Sequence, residues 1–99
     1  MNNYVLAPDA EADLEAIVDY YEQFETDFGL RLVEQITLKF DLLASFPRLG
    51  KQRPKLVVEL RQTVVDPCLI FYRPAITGIE VVRVLHGRRK ITKRLFRKS

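Results

Sequence analysis

LVVELRQTVVDPCLIFYRPAITGIEVVRVLH, residues 56–86, carries the pattern that decides the fold. Two turn signals, Asp66-Pro67 and the stretch PAITG at 74–78, divide it into three β-prone runs. The first alternates, with Val57, Glu59, Arg61 and Thr63 on one side and Val58, Leu60, Gln62 and Val64 on the other. The second, CLIFYR, reads as a buried strand, and IEVVRVLH supplies the third. Three successive strands with short connections predict an antiparallel meander.

Upstream of the meander the period changes. NYVL (3–6) is short, β-prone and followed by Pro8, as a strand leading into a helix start would be. Ala10, Leu14, Ile17, Val18, Tyr21, Phe24 and Phe28 then fall at offsets that trace one helical face. Acids early in this segment suit the positive end of a helix. Gly29 is read as a break, after which Leu32, Val33, Ile36, Phe40, Leu43 and Ala44 trace a second helical face. The pair predicts an antiparallel helical hairpin, with Tyr20, Tyr21, Phe24 and Phe28 in its core. SFPRLGKQRPK (45–55), with two prolines, a glycine and four basic residues, is a loop and a candidate working segment. KITKRLFRK (90–98) has Ile91, Leu95 and Phe96 on one face of a short basic helix. The expected fold is α+β, of order β-α-α-β-β-β with a helical tail. One sheet face packs on the hairpin and the other is only partly covered.

Ninety-nine residues, 47% hydrophobic and 29% charged, describe a single domain over 1–99 with a modest core. Apolar runs are far too short for a membrane helix, which needs about 20 residues. No secretory leader is evident at the N-terminus. One cysteine, Cys68, excludes an intramolecular disulfide, and one histidine beside it argues against zinc. A cytoplasmic protein without cofactor or metal is expected. Charge is segregated: residues 1–46 hold ten acids and two bases (net −8), and residues 47–99 hold fourteen bases and three acids (net +11). Such a division predicts a basic face that meets something anionic, unless the two halves neutralise each other within the fold.

Several motifs, in this order, resemble the RelE/ParE superfamily of bacterial and archaeal toxins from type II toxin–antitoxin systems. YVLAPDAEADLEAIVDYY contains the pattern Ala10, Asp13, Leu14, Ile17, Tyr20; FPRLGKQRP resembles the loop after the second helix; LIFYRP and IEVVRVLHGRRK resemble the paired strands that end in Arg-Val-Leu-His. The resemblance spans nearly the whole chain. It implies one of two activities on a shared fold. RelE-like members cut messenger RNA on the ribosome, and ParE-like members poison DNA gyrase by binding. Both are neutralised by a cognate antitoxin, through which alone operator DNA would be reached.

Cleavage through the 2′-hydroxyl needs a base, a proton donor and cations around the phosphate. Arg61, Arg73, Arg83 and His86 would form that site, His86 being the natural base. Two features weigh against it. The RelE-type tail tyrosine is missing, Phe96 being the tail's aromatic, and strand parity sets Val82, Val84 and His86 against Arg83 and Leu85. Unless a bulge intervenes, His86 and Arg83 do not meet, and His86 reads as a strand-end residue. For Arg83 the choice lies between an exposed anion contact and an ion pair, with Glu59 as a partner. The remaining reading is a docking surface for gyrase or antitoxin, made of Lys51, Arg53, Lys55, Arg61, Arg73, Arg83, Arg88, Arg89, Lys90, Lys93, Arg94 and Arg97; Lys98 extends the run. The sequence is therefore read as a ParE-like gyrase inhibitor. The alternatives are a RelE-like nuclease acting on ribosome-bound message and a non-toxic relic that only binds antitoxin.

Overall fold

The computed structural model describes residues 3–97. Strand β1 (Asn3–Leu6) leads into helix α1 (Pro8–Glu22) and helix α2 (Thr26–Ser45). After them come β2 (Lys51–Gln52), β3 (Arg61–Val65), β4 (Cys68–Ala75) and β5 (Gly78–His86), and Lys93–Phe96 forms one turn of 3-10 helix. The β-α-α-β-β-β order is present, with the two-residue β2 added inside the loop. The sheet runs β1-β5-β4-β3-β2; β1 lies parallel to β5 and the other pairings are antiparallel.

Pro8 opens α1 where its missing N–H costs nothing, and its fixed φ is already helical. The helix ends six residues before the expected break. Tyr21 O accepts from the N–H groups of Phe24 (3.0 Å) and Glu25 (2.7 Å), which closes the turn between the helices. Gly29 is not a break but a buried residue in the first turns of α2. A Cβ there would sit 2.8 Å from Tyr21 Cβ, so glycine is what lets the two helices approach. The early end of α1 also turns Phe24 out to 70% exposure, and Tyr20 is 55% exposed, so neither is core as expected.

Ile36, Phe40 and Leu43 of α2, with Ala10 of α1, bury against Cys68, Ile70, Tyr72, Ile79, Val81 and Val84 of the sheet. The opposite sheet face holds a second, smaller core of Leu60, Phe71 and Leu85. Leu56 and the tail residues Ile91, Leu95 and Phe96 pack against it, and the face stays only partly covered, as predicted. Phe96 meets Phe71 edge to face at 4.9 Å. The expected short helical tail is present as a single turn of 3-10 helix.

The first strand of the meander starts at Arg61, not at residue 56. Glu59 has φ 70, and the N–H groups of Leu56 and Val57 both turn back to Arg53 O, so residues 56–60 form a turn. At the other end of the sheet, Gly78 has φ +153, and any Cβ would run into the Asn3 carbonyl. That glycine allows β1 to dock against β5.

Candidate interaction surface

β1 ends at Leu6 opposite Val81, so beyond that point β5 has no strand neighbour on this side. Helix α1 takes over the edge with one side chain. Asp13 Oδ2 accepts the Val84 N–H at 2.9 Å and the Arg83 Nε–H at 2.8 Å, and Oδ1 accepts from Arg83 Nη2 at 2.8 Å. Arg83 Nη1 donates to Leu95 O at 2.7 Å and so ties the tail to the same point. The ion-paired side chains are 14% and 13% exposed. The bond to Asp13 holds the Arg83 pKa above its usual value, against an opposing effect of burial. Arg83 thus pairs with Asp13 and not with Glu59, and it does not belong to the exposed basic face.

A bulge does interrupt β5: Phe71 pairs with Arg83 and Tyr72 with Val81, which leaves Val82 as the extra residue. Val82 consequently joins the outer core, away from Val84, which packs toward the helices. The bulge does not bring Arg83 and His86 together. Directly opposed residues share a face, so Arg83 follows Phe71 outward and His86 follows Cys68 to the helical side.

Arg61 pairs with Tyr72 in register and reaches the loop after α2, where its Nη1 donates to Arg48 O (3.0 Å) and Gly50 O (2.7 Å). The buried Tyr72 hydroxyl clamps that loop, donating to Pro47 O at 2.9 Å and accepting from the Gly50 N–H at 2.7 Å. Burial pushes the Tyr72 pKa up. Arg53 donates to Gln62 Oε1, and Arg73 pairs with Glu80 at 2.6 Å on the outer face. Of the residues named for nuclease chemistry, Arg73 and Arg83 both line one groove on the outer face, while Arg61 and His86 lie elsewhere. Arg61 is spent on loop carbonyls, Arg73 and Arg83 on carboxylates, and His86 stands exposed at the far strand end. There its Nδ1 accepts the Arg88 N–H at 3.2 Å.

Among the described residues, Lys51, Lys55, Arg88, Arg89, Lys90, Lys93, Arg94 and Arg97 are exposed, and their side chains have no internal hydrogen bond or ion pair. Lys98 lies outside the described residues. Beside the tail, a groove of about 410 Å³ is lined by the apolar Val57, Val58, Leu60, Val82, Leu95 and Phe96 together with the Arg73–Glu80 pair, Arg83 and Asp9. Val58 is 76% exposed at its rim. Groove and unpaired cations together form a surface suited to an amphipathic, acidic partner.

The sequence profile described as ParE toxin of type II toxin-antitoxin system, parDE, matches residues 4–91. This chain belongs to the ParE toxin family. Its similarity to Toxin ParE1 of Mycobacterium tuberculosis is 31% identity over 96 residues, covering 95% of this chain and 98% of that protein. Toxin RelE2 of Caulobacter vibrioides is 35% identical over 80 residues, covering 81% of this chain and 89% of that one. A chain of the chromosomal ParDE TA system from P. aeruginosa superposes with a TM-score of 0.73 at 25% identity, covering 87% of this chain and 96% of its own. The α+β architecture is thus that of a ParE toxin. No helix among the described residues is long and apolar enough to cross a membrane.

Asp13 was missed as a partner, although the sequence held a signal for it. It stands between Ala10 and Ile17, inside the apolar stripe of α1 rather than among the acids of the outer face. A carboxylate in that position needs an internal cation or donor.

Proposed function

We propose that this ParE-family toxin inhibits DNA gyrase by binding and is neutralised by a cognate antitoxin that covers the same surface. The observation that carries the reading is that Arg61, Arg73, Arg83 and His86 do not converge as a set. A 2′-hydroxyl attack needs base and cations within reach of one phosphate, and these four side chains are committed elsewhere or lie on opposite faces. A binder needs no such convergence. It needs a surface, and the unpaired cations of the tail beside the 410 Å³ groove supply one.

Neutralisation follows from occupancy. An antitoxin segment with acidic and apolar side chains complements the cations and the groove together, and once seated it denies both to gyrase. The test is a DNA supercoiling assay with purified toxin, run in parallel with translation of a defined message. Loss of supercoiling with intact message, reversed by stoichiometric antitoxin, is the expected result. Cleavage of ribosome-bound message with normal supercoiling would establish the RelE-like reading instead. No effect in either assay, and no growth arrest on expression, would leave an antitoxin-binding relic.

A further inference from the structure

A second cavity, of about 390 Å³, lies on the other side of the molecule between the second half of α1 and residues 84–89. Its volume is in the range of small-ligand sites. Ile17, Cys68 and Val84 form an apolar floor, and Cys68 and Val84 are 1% and 2% exposed. Tyr20 and Tyr21 make a corner, their rings 5.0 Å apart and inclined at 86°. His86, Arg88 and Arg89 stand at the mouth, and neither guanidinium has an internal partner among the described residues. The carboxylate that lines the cavity, Asp13, is already paired with Arg83 and bonded to the Val84 N–H.

We propose that this cavity binds a nucleotide, with the base stacked on the Tyr20 ring and the phosphate held by Arg88 and Arg89. Each part of the site calls for a different part of the ligand. The arginine forks match the geometry of phosphate oxygens. The exposed ring of Tyr20 offers any base a stacking face. An inorganic anion leaves the aromatic corner unused. A free nucleotide and an unpaired nucleotide of a strand share this chemistry. The cavity is distinct from the groove, but Arg88 and Arg89 are also among the cations assigned to gyrase and antitoxin, so Tyr20→Ala, which leaves those cations in place, is the variant that tests the cavity by itself.

The test titrates the full chain with ATP, with AMP and with a short oligothymidylate, following heat or anisotropy. Saturable binding is expected, weakened about tenfold or more by Tyr20→Ala and by Arg88→Ala/Arg89→Ala, and retained by Tyr20→Phe. These side chains are exposed, and circular dichroism confirms that each variant is folded. Lys93→Ala/Arg94→Ala, which removes equal charge elsewhere, is expected to change affinity less than about twofold. Tighter binding of ATP than of the oligonucleotide identifies a free nucleotide, and the reverse order identifies a strand. Three results would overturn the proposal: no saturable binding, indifference to Tyr20→Ala, or equal loss in the Lys93/Arg94 variant.

Discussion

Asp13 and Arg83, seventy residues apart in sequence, meet through two bonds of 2.8 Å, and the same carboxylate also caps the Val84 N–H at the free edge of β5. One acid thereby fastens α1 to the sheet, and through Arg83 Nη1 and Leu95 O it fastens the tail as well. The pair is largely withdrawn from water, so breaking it strands a charge instead of merely removing an attraction.

Asp13→Ala should therefore lose about 3 kcal/mol in urea denaturation, at the lower end for a buried pair because some exposure remains. For a domain whose total stability is about 5–15 kcal/mol, that is a large share. Asp13→Leu/Arg83→Met should lose less than Asp13→Ala alone, since it leaves no charge buried. A double variant that is no more stable than the single one would mean that the Val84 N–H, not the ion pair, carries the effect.

The Tyr72 hydroxyl is the other internal anchor, joining β4 to the loop at Pro47 and Gly50. Tyr72→Phe keeps the ring in the core and removes only the two bonds, which leaves a buried donor and acceptor unmet. The expected cost is about 1–3 kcal/mol. Amide exchange should quicken at residues 46–52, while the amides of β4 and β5 keep their protection relative to global unfolding. Uniform loss across the sheet would show that the clamp is not local.

These two anchors mark the limit of what the sequence disclosed. Periodicity located both helices and strands β1, β4 and β5, because apolar spacing is a local property that each segment displays by itself. The bulge at Val82 was invisible: which of two parities a strand keeps depends on its partner, here Phe71 and Tyr72 across the pairing. Arg83 was misplaced for a related reason. Its partner is fixed by how α1 passes the edge of β5, and nothing near residue 83 in the chain announces Asp13. Residues 56–60 looked like a strand because valines alternate there, and only the left-handed backbone at Glu59 reveals the turn. The tail's apolar positions, Ile91, Leu95 and Phe96, were legible, since burial asks only for the right residues on one side.

Cys68 gives a prediction in pH. Burial, with Asp66 and Asp13 adding to it, pushes the thiol up to about 11, above the value of about 9 expected when it is exposed. Unfolded chains ionise this thiol first. Its contribution to stability is thus complete below about pH 9 and disappears as pH rises through about 11. Wild-type protein should lose stability over that window more steeply than Cys68→Ala, by about 2–3 kcal/mol at the upper end. Tyr72, also raised by burial, adds a slope common to both proteins. Equal slopes in the two proteins would refute the assignment. At neutral pH the native thiol, 1% exposed, should react with a disulfide reagent far more slowly than in urea.

The tail separates stability from binding. Phe96 packs edge to face on Phe71 and helps to cover the outer core, whereas Lys93, Arg94 and Arg97 on the same segment are exposed. Phe96→Ala removes half-buried aromatic area and should cost about 2 kcal/mol, less than a fully buried ring would. Reversing the three charges to glutamate leaves the packing intact and should change stability by less than about 1 kcal/mol. If the tail is the docking surface proposed above, the charge-reversed protein should lose gyrase inhibition and antitoxin affinity together, and in wild type both should weaken as salt is raised. Inhibition that survives charge reversal while antitoxin affinity falls would separate the two partners. Gyrase would then have to be assigned to another face of the toxin.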